Sequence, residues 1–403
     1  MDRNAILREV EQVLPTVAPI YQEYAAAKLE QRFPNVRADF QKIAGKLIAA
    51  LQAQPEFSIN RGIIDFGGAG VPFNPEFFIY NMLKFAVDRG PSNAVAWVEK
   101  VLACKEAEAR CVYLIGGLKP EKSIVFAKGK IELMPFDDLP ESEHKQAERA
   151  KGYVFASGPT PQEFPAKAAI VQRVTVTPFF TKNFDKGILR PTILRLEEII
   201  NALAIATGHT ALPIVAWAEY VDADLEAAMS GRSYYGGLHE IRPRFYRDEP
   251  INPETVKSFI DQYLNLKQPV RDLVNIANSR INQALRRRMA GDKTLDAAIG
   301  IEALLGVQED RGEITDRLAR RTALVIGGCL ERRKQNREII RDFYALRSAL
   351  VHTGRAPSIK KKLPETVAEQ GIATAIEAVK AIVSLGEMPP WDEWELIGRS
   401  QEH

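Results

Sequence analysis

The sequence reads as a mostly α chain with an α+β middle region and an all-helical bundle toward its C-terminal end. Three observations carry this. Apolar residues recur at helical spacing through the first hundred residues, short β-rich runs replace that rhythm between Cys111 and Tyr246, and beyond Pro253 every segment returns to it. At 403 residues the chain is long for one compact core. It divides into a helical region over 1–110, a mixed α/β region with a hairpin over 111–250, a helical domain over 251–386, and a tryptophan-containing tail over 387–403. The middle region reads as a sensor or regulator.

Ile6, Val10, Val13, Leu14 and Val17 mark the first helix, and Phe40, Ile43, Leu47 and Leu51 the second. Pro55 and the run Gly67-Gly68-Ala69-Gly70 break the pattern; Asn74-Pro75-Glu76 restarts it with a capping residue and a proline at the first helical position. A phosphate loop needs glycines followed by a helix N-terminus aimed at the anion. Here Pro72 and Pro75 intervene and no Gly-Lys-Ser/Thr follows, so the glycine run is a turn. In the middle region, Val112 to Ile115 and Ile170 to Val176 are strand-like, while Ser123 to Phe126 and Lys130 to Met134 flank a glycine turn at Gly129 as a hairpin would. A helix from about Thr192 to Thr207 interrupts them. The C-terminal helices are expected at about 256–290, 293–306, 313–331, 334–353 and 365–385, with Asp292 or Thr294 capping the second and Gly306 and Gly354 ending the second and fourth.

An apolar share of 46% and a charged share of 26% suit a globular protein rather than a disordered one. Met1-Asp2-Arg3-Asn4 runs into Glu9 and Glu11 without an apolar core, so no secretory leader is expected. The longest apolar stretch, Ala202 to Val221, is cut by Gly208, His209, Thr210 and Pro213, which argues against a membrane span. Cys104, Cys111 and Cys329 lack metal-ligand spacing and read as free thiols of a reducing, cytoplasmic compartment. Net charge is +2, unevenly spread: Arg271 to Lys362 holds 20 Lys/Arg against 11 Asp/Glu. A basic module on an acidic body fits a polyanionic partner, and equally two domains that attract each other.

The chemistry concentrates in Arg341-Asp342-Phe343-Tyr344-Ala345-Leu346-Arg347-Ser348-Ala349-Leu350-Val351-His352-Thr353-Gly354. At about 100° per residue, Ile340, Phe343, Tyr344, Leu350 and Val351 form an apolar stripe with Arg347 near its middle. A permanently charged guanidinium there needs a partner. Glu302, inside the stripe of Leu295, Ala298, Ile299 and Leu305 on an earlier helix, supplies one in a structural ion pair. The alternative is that the stripe faces a groove or a second subunit and leaves Arg347 for a phosphate. His352 lies in the last turn, four residues after Ser348 and about 140° around from Arg347. A helix C-terminus favours a protonated imidazole. An imidazole that moves a proton beside a guanidinium that stabilises phosphorane charge suffices for RNA cleavage without metal or cofactor. Glu302, Asp316 and Asp342 lie on separate helices without a Mg²⁺ ligand pattern. Arg317, Arg320 and Arg321, then Arg333, Arg337 and Arg341, recur at helical spacing and precede Lys360-Lys361-Lys362. Such arrays track a phosphate backbone or are solvated helix faces.

The C-terminal third resembles the ApeA-like branch of the HEPN superfamily. The resemblance rests on the ordered blocks Ala277-Asn278-Ser279-Arg280, Leu295 to Leu305, Ile314 to Ala323 and Tyr344 to Gly354, about residues 273–385, with arginine, four residues and histidine on a late helix. Arg232 and His239 mimic the spacing, but Gly236-Gly237 breaks any helix there. The resemblance implies a helical bundle, a homodimer joined through the C-terminal helices, and a metal-independent ribonuclease site at the interface built from Arg347 and His352. Ser348 stands where active members often carry Asn or Asp. Tyr344 and Glu302 would support the site. Several members act in antiviral defence or toxin-like responses; others have lost catalysis and serve as dimerisation or RNA-binding modules.

Overall fold

The structure, a computed structural model, describes residues 1–26, 36–54, 63–65, 70–72, 75–150, 154–155, 162–163, 166–176, 189–228, 234–235, 249–306 and 314–397. Four helices open the chain, α1 (Arg3–Ala26), α2 (Val36–Gln52), α3 (Pro75–Arg89) and α4 (Pro91–Ala103), with the antiparallel pair β1 (Ile63–Asp65) and β2 (Gly70–Pro72) between α2 and α3 in sequence. The middle carries β3 (Ala107–Gly116), β4 (Leu118–Lys119), β5 (Ile124–Phe126), β6 (Ile131–Pro135), α5 (Glu143–Ala150), β7 (Val154–Phe155), β8 (Gln162–Glu163) and β9 (Ala168–Val176). It continues with α6 (Leu189–Thr207), β10 (Leu212–Tyr220), α7 (Ala223–Ala227), β11 (Tyr234–Tyr235) and β12 (Glu249–Pro250). The chain closes on α8 (Pro253–Asn265), α9 (Gln268–Arg286), α10 (Ala290–Leu305), α11 (Ile314–Ile326), α12 (Leu330–Thr353), α13 (Pro364–Leu385) and α14 (Trp391–Ile397). The fold is thus mostly α with an α+β middle. Residues 66–69 of the glycine run, and the pair Arg232 and His239, lie outside the described residues.

The chain forms two compact units. The first comprises Met1–Cys111, Arg173–Ile193 and Trp217–Tyr235. Its helical core is Ile6, Val10, Val13 and Val17 of α1 with Leu47, Leu51, Phe78, Ile79, Leu83 and Val98. Trp97 stacks between Phe78 and Phe85, at 5.0 and 4.7 Å, and its indole N–H donates to the Asp224 carbonyl at 2.8 Å. Across the first unit's strands, Arg110 meets Glu219 at 2.8 Å; that buried carboxylate also accepts from the Trp217 indole, so neither charge is left without a partner.

The second unit comprises Val112–Gln172, Leu194–Ala216 and Gly236–His403. Its sheet strands stand in the order β3-β9-β6-β5. Its β5–β6 hairpin has the expected place, pairing Ile124 with Leu133 and Phe126 with Ile131, and β6 continues antiparallel onto β9. Ala127, Lys128 and Gly129 all take positive φ in the turn, a geometry natural only to the glycine; the Ala127 N–H donates to Asp261 of α8 at 3.1 Å. The apolar stretch Ala202 to Val221 resolves into the buried end of α6, a left-handed Gly208, and the buried strand β10. Among the described residues no helix is long and apolar enough to cross a membrane.

The C-terminal helices differ from expectation in three places. Met289 holds the N-cap position of α10, so Asp292 and Thr294 lie inside the helix and neither caps it, and α11 stops at Ile326 rather than at 331, where Gly327 and Gly328 take positive φ. The single helix expected over 256–290 is two, divided at Leu266 and Lys267, because Pro269 has no N–H to give and fits only the first turn of α9. Asn252 caps α8, accepting from the backbones of Glu254 and Thr255 at 3.0 Å. In α9, Asn282 exchanges two hydrogen bonds with the Ala211 backbone, tying the helix to the start of β10. Glycine sets the closest helix approach: a Cβ on Gly371 of α13 would fall inside the Phe343 ring of α12.

Gly371→Ala therefore overpacks the α12–α13 contact, and about 1–3 kcal/mol of stability should be lost. Urea unfolding measures this; a variant as stable as the parent would mean that the two helices do not meet at this point.

Candidate functional site

Helix α12 places the residues that the sequence singles out. It ends where Gly354 takes a left-handed conformation (φ 67°) and its N–H bonds the Leu350 carbonyl at 2.9 Å. Ile340, Phe343, Tyr344 and Leu346 are buried against neighbouring helices. The expected apolar stripe is corrected at its far end: Val351 is 56% exposed, and Leu346 holds the last core position instead. Arg347 consequently sits at the rim of the core rather than inside it. Its side chain is 37% exposed, and its Nη2 lies 3.5 Å from Oε1 of Glu302 on α10, an ion pair at the long end of contact. The Tyr344 hydroxyl donates to the Ala298 carbonyl at 3.3 Å. Burial, reinforced by the Glu302 carboxylate, pushes that phenol far above its ordinary range, so it remains a donor. Arg347, Glu302 and Tyr344 are thus brought together across α10 and α12. Ser348 and His352 lie on another side of the same helix, both exposed.

The basic arrays separate into three groups. Arg321 does not share an open face with Arg317 and Arg320. It is only 4% exposed, its Nε meets Glu395 at 2.6 Å, its Nη1 donates to the Leu305 carbonyl at 2.8 Å, and its guanidinium lies 5.0 Å over the Trp391 ring. The expectation that Arg321 contacts a polyanion is therefore wrong: the tail folds back as α14 and claims it. The second group centres on Asp316. Arg320 of α11 reaches it at 3.3 Å, Arg337 of α12 at 2.9 Å, and Arg341 bonds it through Nε at 3.1 Å. Arg337 first, then Arg341, hold the Asp316 carboxyl down at about 2. Arg333, in the first turn of α12, reaches back to the segment before the helix, with its Nε donating to the Gly328 carbonyl at 2.8 Å.

The third group is Lys360-Lys361-Lys362. Ile359 and Lys362 exchange both backbone hydrogen bonds around a two-residue turn whose corners, Lys360 and Lys361, have φ of 48° and 67°. Both Lys360 and Lys362 reach the nearly buried Asp342 carboxylate at 2.9 Å. Burial alone would raise that carboxyl; the two ammonium groups outweigh it and hold it below its usual range. These two lysines fasten the turn to α12. The module's carboxylates Glu302, Asp316 and Asp342 each face one or more cations. Asp316 at i−4 from Arg320 was readable in sequence; its two partners from α12, and the pairing of Glu395 with Arg321, were not. Comparison of the chain with protein-family models gives no match, and neither do comparisons with curated proteins or with solved structures.

Two outcomes follow from this geometry. Arg347→Ala removes one side of a half-exposed pair, so stability should change by less than about 1 kcal/mol in a thermal melt. Asp316 has a depressed folded-state value, so its contribution is fully present above the ordinary carboxylate range near pH ~3.9 and is lost as pH falls toward 2. The stability gap between the parent and Asp316→Asn should hold constant from about pH 7 to 5 and shrink below about pH 4; a gap that widens in acid would contradict the pairing.

Proposed function

We propose that this chain is a metal-independent endoribonuclease of HEPN type, acting in the cytoplasm as a homodimer through α10 and α12. What carries the reading is the end of α12. An exposed histidine precedes the left-handed Gly354 by two positions, and five residues before it stands an arginine whose guanidinium is part-exposed and only loosely paired. Arg347 and His352 lie about 140° apart on one helix, so a shared cleft between two copies suits their joint action better than one face does. Ile299 of α10 and Val351 of α12, 41% and 56% exposed, stand one turn from Glu302 and Arg347 and supply apolar surface for that contact.

In the reaction an imidazole takes the proton of the ribose 2′-OH, and the 2′ oxygen bonds the phosphorus as the bond to O5′ breaks. An imidazolium, available from the second copy, protonates the departing oxygen. Arg347 stabilises the added charge on the phosphorane, and the Ser348 hydroxyl donates to a phosphate oxygen. A second reading, a non-catalytic dimerisation or RNA-binding module, has one observation in its favour: the Glu302–Arg347 pair itself.

With total RNA as substrate, cleavage should survive excess EDTA, leave 2′,3′-cyclic phosphate and 5′-hydroxyl ends, and vanish in His352→Ala with an unchanged melting temperature. RNA carrying 2′-O-methyl groups should resist. Full activity in His352→Ala, or activity that a chelator removes and Mg²⁺ restores, rules out this mechanism; a dimer without any cleavage selects the second reading.

A further inference from the structure

Three guanidinium groups converge on the single carboxylate of Asp316, leaving two positive charges in surplus. Hydrogen bonding is as unequal as charge. Each guanidinium offers five N–H donors and a carboxylate about four acceptor positions. Within the group, Nε of Arg337 is buried and has no hydrogen-bond partner. That donor is closed off from solvent, but the Arg337 and Arg341 side chains are 42% and 48% exposed, so an oxyanion seated beside Asp316 meets their outer N–H groups. Asp316 meanwhile holds arginines from two helices at fixed spacing, so a ligand would meet them already ordered.

Helical geometry extends the site in one direction. Taking Phe343 as the core-facing reference, Arg337, Arg341, Ser348 and His352 fall within an arc of about 60° on the opposite side of α12. Arg341 and His352 are then separated by roughly 16 Å along the axis. A lone oxyanion has no use for such a track; a chain of them does.

We propose that the Asp316-centred arginines form a phosphate site for the backbone of single-stranded nucleic acid, which runs from there along α12 toward His352. Arg337 and Arg341 bind phosphate through guanidinium forks, Arg320 completes the cluster from α11, and Asp316 positions the three. Naming RNA as the physiological strand rests on the proposed function, whereas the phosphate chemistry does not.

The test uses the full chain and strands that 2′-OH chemistry cannot cut: a single-stranded DNA oligonucleotide and its 2′-O-methyl RNA counterpart, titrated by fluorescence anisotropy over a salt series. The double variant Arg337→Gln/Arg341→Gln should bind at least about tenfold more weakly, and its slope of log K against log salt should be shallower by about 0.7 for each phosphate that the variant no longer neutralises. Arg332→Gln, which removes an equally exposed arginine of α12 paired with Glu377 at 3.0 Å, should bind like the parent. Inorganic phosphate at the same phosphate concentration should not displace the strand; displacement would mean a site for the free ion and overturn the strand assignment. An unchanged slope in the double variant, or an equal weakening in Arg332→Gln, overturns the site. Should the double variant melt early, Arg341→Gln alone carries the test with half the slope change. His352-dependent cleavage that ignores the arginine pair would leave catalysis standing and this site refuted. The slope change without any cleavage would do the reverse.

Discussion

The close approach of α12 to α13, where Phe343 occupies the space that Gly371 leaves open, fixes the rotation of α12 about its own axis. Everything chemical on that helix follows from this rotation. With Phe343 inward, the period of 3.6 residues turns Arg341, Ser348 and His352 to the far side; Arg347 stays on the near side but beyond the last core position, where a glutamate from α10 reaches it. A helix rotated by one residue in the wrong sense would carry Tyr344 away from the core. The left-handed Gly354 ends the helix within two residues of His352, so the imidazole stands at the C-terminal pole of the helix dipole.

Much of this was legible in the sequence because it is local. The C-terminal ends of α10 and α12, the span of α13 and the β5–β6 hairpin are set by residues within a few positions of one another, and these are the elements that patterning finds. The errors share a different character. Periodicity placed Arg321 beside Arg317 and Arg320, but its fate depends on Trp391 and Glu395, some seventy positions away in the chain. Likewise the stripe was carried through to Val351 because a helix's own sequence does not record where its neighbours stop. The split of α8 from α9, by contrast, is recorded locally, since Pro269 belongs in a first turn.

The excess of basic residues in the module also changes meaning once partners are assigned. Lys360 and Lys362 are engaged with Asp342, Arg332 with Glu377, and Arg321 with Glu395. These pairs hold turns and helices in place and do not add up to a uniform positive field. What surplus is left gathers around Asp316, a narrower feature than the charge of the whole module suggests. Half-exposed pairs of this kind contribute little stability one by one; their effect is to decide which guanidinium groups are held ready and which are used up.

The seat of α14 has an optical consequence. Of the four tryptophans, Trp97 and Trp217 are buried in the first unit, whereas Trp391 and Trp394 belong to the returning helix, with Trp391 laid against a guanidinium. An indole lifted from that contact into water emits at longer wavelength, while the two buried indoles keep their surroundings. The colour of the chain's own fluorescence is therefore a label-free gauge of whether its last helix is docked.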